Sequence, residues 1–257
     1  MSLFDADLQA MFDPVALARR VGMEPDPWQA RALRSSAKQA LWLCSRQAGK
    51  SQTAAVIAEH TALYRPGSTV LLISTGQTQS VELLRKVTGL HKQLGRPVAS
   101  SAENMLSLYL ENGSRIVSLP GDDRTIRGYS AQLIVIDEAA RVPDDMNDAI
   151  RPMLAVTGGR LIALSTPAGR QGWFYDAYTS GGPGWERVKV TAIECPRISQ
   201  AFLEQERATL GEFTYRTEYE CEFQEDATQV FGQDWIEAAF TSDFPALWAP
   251  AATEVAV

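Results

Sequence analysis

The chain has 257 residues, of which 45% are hydrophobic, and its formal net charge is −7 with a pI of about 5.0. This length suits one large α/β domain, or a core with a small appendage. An acidic chain is not expected to hold duplex DNA tightly over a broad face, although a local patch or a ring of copies would still contact it. No run of ~18 apolar residues predicts a membrane span, and the acidic N-terminus lacks the basic region of a secretion signal.

The three cysteines, Cys44, Cys195 and Cys221, are widely separated in the sequence. No pair has the spacing of metal ligands, and an odd number of cysteines argues against a disulfide framework. We therefore expect buried or free thiols in a reducing cytoplasm.

Apolar runs alternate with helical patterns along the first two thirds of the chain. The runs predict buried strands at residues 40–44, 68–75, 131–140 and 160–167. Helical spacing of apolar residues predicts helices at residues 27–36, 50–63, 78–94 and 144–156. Asn112-Gly113 predicts the turn of a hairpin over residues 106–120. This alternation predicts a mostly parallel sheet with helices on both faces.

The character of the sequence changes after Pro167. Residues 186–193 have the pattern of one more strand, and residues 199–222 are polar, rich in glutamate and helical in pattern. The last dozen residues contain two prolines and are expected to fray. The predicted organisation is a core over residues 1–167, which includes an N-terminal extension over 1–24, and a smaller C-terminal part over 168–257.

The segment Cys-Ser-Arg-Gln-Ala-Gly-Lys-Ser at residues 44–51 lies between a predicted strand and a predicted helix, as a phosphate-binding loop does. Gly49 allows close backbone approach, and the amides at the helix N-terminus attract phosphate oxygens. Lys50 is suited to the β- and γ-phosphates, and the hydroxyl of Ser51 to Mg²⁺. The usual first glycine of the pattern is Cys44 here, so an ordinary strand–helix turn is the alternative interpretation.

A second motif, Asp137-Glu138, ends the predicted strand at residues 131–140. An acid at the carboxyl end of a strand lies on the ligand edge of an open α/β sheet. We expect Asp137 to hold Mg²⁺ and Glu138 to orient and deprotonate the water that attacks the γ-phosphate, since phosphoryl transfer needs these parts. The alternative is a helix cap, but the order of the two motifs favours an ATP site, with Lys50 and the acids meeting across adjacent strand ends.

The segments SRQAGKS, IRGYSAQLIVIDEAA and LIALSTPAG together resemble the ATPase half of the large terminase subunit of tailed bacteriophages, over roughly residues 25–225. The resemblance implies a P-loop fold with an additional central strand and a small C-terminal lid subdomain. It implies ATP-driven translocation of viral double-stranded DNA into an empty capsid, in the cytoplasm of an infected bacterial host. The implied partners are double-stranded DNA, bound weakly by the isolated domain, the portal protein, the small terminase subunit and further copies in a ring.

The resemblance also implies roles for single residues. Arg46 matches an arginine proposed to sense the γ-phosphate, and Arg127 matches an arginine finger that reaches a neighbouring subunit, with a solvated loop arginine as the alternative. Ser165 and Thr166 match a motif that couples hydrolysis to DNA movement, and Gln29 matches an adenine-recognising residue. The implied nucleotide-binding set is Gln29, Arg46, Gln47, Ala48, Gly49, Lys50 and Ser51, with Ser51 and Asp137 for Mg²⁺ and Glu138, Arg46 and Arg127 for catalysis.

The end of the sequence departs from full-length large terminases, which continue into a nuclease with clustered acids. Asp226, Asp234 and Asp243 are scattered, and we expect them to be surface acids and the chain to lack nuclease activity.

Two other functions remain open from the sequence. A helicase-like translocase takes its arginine finger from a second core domain, but the 90 residues after residue 167 show no second set of strands. A non-hydrolysing module that docks on the portal or the small subunit would not require Lys50 and Glu138.

Overall fold

The computed structural model describes residues 3–120, 126, 128–225 and 239. Within these residues the chain forms eight strands and nine α-helices. The strands are β1 (Gln39–Cys44), β2 (Thr69–Ser74), β3 (Ser100–Glu103), β4 (Ser107–Leu110), β5 (Arg115–Pro120), β6 (Leu133–Asp137), β7 (Arg160–Ser165) and β8 (Glu186–Val190). The helices are α1 (Leu3–Phe12), α2 (Pro14–Arg20), α3 (Pro27–Arg34), α4 (Lys50–Tyr64), α5 (Gln77–Gln93), α6 (Asp144–Ala155), α7 (Trp173–Ser180), α8 (Gln200–Leu210) and α9 (Glu212–Glu218). Short 3-10 helices span Ala139–Arg141 and Ala192–Glu194.

The strands form one sheet in the order β3-β4-β5-β2-β6-β7-β1-β8. In this spatial order, every neighbouring pair from β5 through to β8 is parallel. At the other edge, β4 pairs antiparallel with both β3 and β5. Strands β2 and β6 are buried at every residue, which explains their unbroken apolar sequences. The predicted α/β fold with a mostly parallel sheet flanked by helices is confirmed.

Helices cover both faces of the sheet. Because successive side chains of each strand point to opposite sides, one strand contributes to both cores. Trp42 and Cys44 of β1 enter the core formed with α1 to α5. Leu41 and Leu43 of the same strand enter the other core, which includes α6 and α7. Trp42 is completely buried, and its ring meets that of Trp28 edge-on with 6.1 Å between the centroids.

The predicted hairpin is confirmed by the antiparallel pairing of β4 with β5 around Asn112 and Gly113. Gly113 has a φ of +82°, which glycine adopts without a steric penalty. The side-chain amide of Asn112 donates to the carbonyl oxygens of Ala62 at 2.9 Å and Leu63 at 3.2 Å, which fixes the turn to the end of α4. Strand β3 was not predicted, because its mostly exposed residues Ser100–Glu103 give no apolar signal.

The sheet continues beyond β7, since β8 pairs with β1 in parallel. The predicted helical segment over residues 199–222 is present as two helices, α8 and α9, separated by Gly211 with a φ of +77°. The described residues up to Gln224 belong to one compact unit. The boundary near residue 168 and the lid that it defines stay predictions.

Helix α4 is buried on nearly all sides, and the first two helices of the chain cover part of it. The Nε2 atom of His60 lies 3.0 Å from the carbonyl oxygen of Ala10. The hydroxyl of Tyr64 donates to Asp7 at 2.9 Å, and Asp7 also pairs with Arg20 at 2.9 Å. The segment over residues 7–20 therefore packs against α4.

Glu59 of α4 and His91 of α5 form a buried pair between the two helices. The Oε1 atom of Glu59 lies 2.7 Å from Nδ1 of His91, and the side chains are 0% and 1% exposed. Burial raises the pKa of Glu59, and the hydrogen bond with His91 opposes that shift. No described residue is a hydrogen-bond partner of Glu59 Oε2 or His91 Nε2. The pair ties α4 to α5 in the core.

All three thiols are free and buried, as expected from the sequence. Burial raises the pKa of Cys44, Cys195 and Cys221, that of Cys221 to about 12. In the part of the chain that the structure describes, no helix has both the length and the apolar character to cross a membrane.

Candidate nucleotide-binding site

Residues 45–49 connect the buried strand β1 to α4, and the chain beyond β7 holds them in place. The Ser45 N–H donates to the carbonyl oxygen of Val190, at the end of β8, over 2.9 Å. The Arg46 N–H donates to the carbonyl oxygen of Glu218, at the end of α9, over 3.1 Å. The loop is therefore fixed from outside by two elements far away in the sequence.

The loop curls back on itself before α4 begins. Gln47 and Gly49 have positive φ values of +60° and +86°. Lys50 is the first residue of α4, and the first amides of a helix have no partner within it. These amides and the helix dipole make this end of α4 suited to an anion.

Lys50 and Ser51 meet the acids at the end of β6. The hydroxyl of Ser51 donates to Oδ2 of Asp137 over 2.8 Å. The Nζ atom of Lys50 lies 3.4 Å from Oε1 of Glu138. The lysine of the loop and the paired acids are thus close enough to share one triphosphate and its metal.

The strands that bear these residues are not neighbours, and the expectation of adjacent strand ends is wrong. Strand β7 lies between β1 and β6, as the additional central strand implied by the resemblance. Leu43 of β1 is level with Ser165 of β7, and Asp137 of β6 is level with Leu164. The end of β7 therefore lies in the middle of the site.

Asp137 is 9% exposed, and burial together with the charge of Glu138 raises its pKa, against the attraction of Lys50. Its Oδ1 atom accepts the Glu138 N–H at 2.9 Å. The Ser51 hydroxyl and the Asp137 carboxylate are hard oxygen donors, the kind that Mg²⁺ prefers. The residues present therefore fit a magnesium ion.

Glu138 has a φ of +54°, a backbone conformation that few residues other than glycine adopt. Such strain persists where the surrounding structure holds a residue in place, often at functional sites. The Oε2 atom of Glu138 accepts a hydrogen bond from Arg141 at 2.8 Å. The side chain is 31% exposed, so water reaches this carboxylate.

Arg141 links Glu138 to the end of β7. Its Nη1 atom also donates to Oγ1 of Thr166 at 3.1 Å. The Ala140 N–H donates to Oγ of Ser165 at 3.2 Å. Ser165 and Thr166 therefore contact the turn that follows Asp137 and carries Glu138. The sequence analysis did not identify Arg141 as a site residue, because its only distinguishing feature is its position three residues after Glu138.

The side chain of Arg46 is 63% exposed and turns toward α9. Its Nε and Nη2 atoms donate to the two carboxylate oxygens of Glu218, at 2.7 and 3.2 Å. This two-pronged geometry is the strong form of an arginine–carboxylate contact. Glu218 is 172 positions from Arg46, so no local pattern predicted the pair.

Gln29 is buried beside the phosphate loop. Its Oε1 atom accepts the Asp26 N–H at 2.9 Å, and its Nε2 atom would lie 2.6 Å from a Cβ atom placed on Gly49. Arg197 bridges the same region, since it donates to the Ala48 carbonyl oxygen at 3.0 Å and pairs with Asp26 at 2.7 Å. Adenine recognition by Gln29 stays a prediction, and the sequence did not point to Asp26 or Arg197.

The Gly49→Ala variant is expected to bind nucleotide at least about tenfold more weakly than the natural chain, an energy of about 1.4 kcal/mol. A side chain at this positive φ is strained by ~1–2 kcal/mol, and its Cβ atom would collide with Gln29 Nε2 at 2.6 Å. Titration with a fluorescent ATP analogue measures the effect. Gly22→Ala is the matched control, because Gly22 has a φ of +74° with no atom within 4 Å of the added carbon. Equal affinities of Gly49→Ala and the natural chain would contradict the described loop geometry.

Four residues of the sequence hypotheses lie outside the described residues: Arg127, Asp226, Asp234 and Asp243. The arginine-finger role of Arg127 and the surface position of the three acids stay predictions.

Comparison with known proteins indicates the large terminase subunit family. The family model described as "Terminase large subunit, T4likevirus-type, N-terminal" matches residues 41–238. The large terminase subunit of Thermus phage G20c is 26% identical in an alignment 249 residues long that covers 82% of this chain and 51% of that protein. The chain spans about half the length of the curated relatives it matches.

Solved structures share the fold. The large terminase ATPase domain of Thermus phage P74-26 aligns with a TM-score of 0.69 and 24% identity, over 80% of this chain and 97% of that one. A large terminase from a thermophilic bacteriophage, solved in complex with ATP-gamma-S, aligns with a TM-score of 0.61 and 16% identity, over 77% of this chain and 52% of that one. With the turn before α4 and the acidic end of β6 brought together on this fold, the chain belongs to the large terminase subunit family, in which it matches the N-terminal region.

Proposed function

We propose that the chain is an ATPase and that the residues gathered around the start of α4 form its active site. The observation that carries the proposal is the convergence of two motifs more than 80 residues apart, with Ser51 bonded to Asp137 at 2.8 Å and Lys50 beside Glu138 at 3.4 Å. The ATP-gamma-S complex of the thermophilic phage terminase supports a nucleotide ligand for this fold.

Binding of the triphosphate follows from the loop. The amides of residues 47–51 and the Lys50 ammonium would surround the β- and γ-phosphates. Ser51 and Asp137 would hold Mg²⁺, which when bound neutralises charge on the phosphate oxygens. Lys50 would then exchange its contact with Glu138 for one with phosphate.

Hydrolysis needs a base near the γ-phosphate, and the 3.4 Å between Glu138 and Lys50 supports Glu138 in that role. Its carboxylate would orient a water molecule and accept its proton as the oxygen attacks phosphorus, while the bond to the leaving phosphate oxygen breaks. Arg46, once released from its contact with Glu218, would stabilise the charge that develops on the γ-phosphate. Ser165 and Thr166, which lie against the same turn, would transmit the loss of that phosphate along β7.

The proposed use of this energy is translocation of viral double-stranded DNA into procapsids. The curated relatives are large terminase subunits, and this chain matches about half of their length. With its net charge of −7, the isolated chain is expected to bind DNA weakly. Portal protein, small terminase subunit and a ring of copies on the procapsid are its proposed partners, in the host cytoplasm.

ATP turnover per chain is expected to be low in dilute solution and to rise with protein concentration. The reason is that Arg127 of one copy is proposed to complete the site of the next, and such a finger contributes about 10³-fold or more. Phosphate release measured over a range of protein concentrations, for the natural chain and Arg127→Ala, tests this. Strong turnover that is independent of concentration and unaltered by Arg127→Ala would reject a finger acting between copies.

Arg141→Ala is expected to lower the turnover rate about tenfold with little change in ATP affinity. Arg141 holds Glu138 at 2.8 Å and Thr166 at 3.1 Å, so its loss would misorient the base without touching the phosphate loop. Steady-state kinetics separate the two effects. Arg85→Ala, which removes an exposed arginine paired with Glu82, is the matched control. A fall in affinity at constant turnover would contradict the positioning role.

A further inference from the structure

A cavity of about 360 Å³ lies where strands β6 and β7 begin, at the opposite ends of these strands from the nucleotide site. It is bounded by Leu133 and Arg160, the first residues of β6 and β7, and by the last turns of α3 and α4. The nucleotide site lies at the other ends of these strands, so the two regions are separated by the length of the sheet. No role proposed above involves this cavity.

The charges that line the cavity are unbalanced, with Arg34, Arg65 and Arg160 against one carboxylate, Asp13. Arg34 donates to both oxygens of Asp13, at 3.1 and 2.6 Å, and this contact is the main reason why the pKa of Asp13 is lowered. That pair is therefore neutral as a unit. Two guanidinium groups, those of Arg65 and Arg160, remain on a chain that is acidic overall.

The side chain of Arg160 is half-buried, whereas its backbone N–H donates to the carbonyl oxygen of Gln132 at 2.9 Å. Its Nε and Nη2 atoms are inaccessible to solvent, and no described residue accepts a hydrogen bond from them. Burial lowers the pKa of Arg160, and the charge of Arg65 acts in the same direction. Glu186 opposes this shift, but its carboxylate accepts the Ser35 hydroxyl at 2.6 Å instead of pairing with Arg160. A guanidinium in this setting lacks the counter-charge that buried cations normally have.

Arg65 caps the end of α4 through its backbone, and its exposed side chain has no ion-pair partner among the described residues. His60, on the last turns of α4, contributes no stable positive charge. Its Nε2 atom faces the carbonyl oxygens of Ala10 and Met11, and burial lowers its pKa. The cavity therefore lacks a negative charge, which an anionic ligand in contact with Arg65 and Arg160 would supply.

We propose that the cavity binds a phosphate-class oxyanion between Arg160 and Arg65. The planar donor fork of arginine matches the oxygens of phosphate, and an anion would satisfy the buried Nε and Nη2 atoms and offset the repulsion between the two cations. Water would satisfy these N–H groups but would leave the charge uncompensated. The phosphate group has two possible sources, the free anion and the backbone of a nucleic acid.

Calorimetric titration with inorganic phosphate at constant ionic strength tests the site. Lys50→Ala serves as the background, because it removes the lysine of the phosphate loop as a competing anion contact. In that background we expect saturable binding, weakened about tenfold or more by Arg160→Gln, the loss expected for a hydrogen bond to a charged group. Arg65→Gln, at an exposed position where misfolding is not expected, should weaken binding several-fold, and Arg85→Gln should leave it unchanged.

Absence of saturable binding, or equal affinities of the background chain, Arg65→Gln and Arg160→Gln, would overturn the proposal. Repeating the titration with a saturating duplex oligonucleotide distinguishes the sources. Loss of saturable phosphate binding in the presence of the duplex assigns the site to backbone phosphate, and undiminished phosphate binding assigns it to the free anion. Both results retain an oxyanion site, and neither depends on ATP hydrolysis.

Discussion

Glu138→Gln is expected to lower ATP turnover by about 10²- to 10⁴-fold, the range that general-base catalysis contributes. Glutamine has nearly the same shape as glutamate and can still contact Arg141, but it accepts no proton from water. Nucleotide affinity should change little, because Lys50 and Ser51 remain in place. Phosphate release at saturating ATP measures turnover, and titration with an ATP analogue measures affinity.

The matched control is Glu111→Gln, which removes the same charge from an exposed turn of the hairpin. Its turnover should equal that of the natural chain. Lys50→Ala is expected to act mainly on affinity instead of on the turnover of bound ATP, because it removes a proposed phosphate contact. If Glu138→Gln turned over ATP at the natural rate, Glu138 would not be the base. A natural chain without ATP turnover, unchanged by Glu138→Gln, would instead favour a binding module that does not hydrolyse ATP.

His91→Leu is expected to lower the free energy of unfolding by about 3–5 kcal/mol at neutral pH, the loss typical of a broken buried pair. The change removes the imidazole that contacts the Glu59 carboxylate at 2.7 Å, within a core where both side chains are almost fully buried. Urea unfolding followed by tryptophan fluorescence measures the difference. Because α4 begins with Lys50, loosened packing at Glu59 is also expected to weaken ATP binding.

The destabilisation of His91→Leu should grow as the pH rises. Burial already raises the pKa of Glu59 above its ordinary value of 4.5, and the hydrogen bond with His91 opposes this. Without His91, burial acts unopposed. A carboxyl with a raised pKa in the folded state contributes stability that is fully present below the unfolded value and is lost as the pH rises through the folded pKa. Unfolding curves recorded from acidic to neutral pH should show this decline.

Two controls distinguish a buried charge from a general packing defect. The double variant Glu59→Leu/His91→Leu removes both polar groups and should recover most of the lost stability, with little pH dependence. Lys92→Ala breaks the half-exposed pair with Glu103 at 2.6 Å, and it should cost at most ~1 kcal/mol. A double variant as unstable as His91→Leu, with the same pH dependence, would contradict the role of the pair.

Local patterns predicted the parts of the fold and site that depend on neighbours in sequence. Buried strands such as β2 and β6 are continuous apolar runs, and the loop before Lys50 has the composition of a strand–turn–helix junction. Asp137 was predicted because the end of a parallel strand fixes which edge of the sheet its last residue faces. These features need no knowledge of distant contacts.

Contacts between distant elements could not be predicted in this way. Glu218 reaches Arg46, and Arg197 reaches Ala48, only because the chain beyond β7 returns to the phosphate loop through β8. Neither residue lies in a pattern of its own. The position of β7 between β1 and β6 likewise depends on strand pairing, so the assumption of adjacent strand ends failed, although Lys50 and Ser51 still lie beside Glu138 and Asp137.

The burial of the native thiols has a practical consequence for spectroscopy. A maleimide dye reacts with thiolates, and Cys44, Cys195 and Cys221 are at most 1% exposed with raised pKa values, so the natural chain should remain almost unlabelled. A cysteine introduced at Ile193, which is 82% exposed, would then be the single reactive position. The fluorescence of a dye at this position would follow the segment after β8 during a turnover cycle, without replacement of the three buried cysteines.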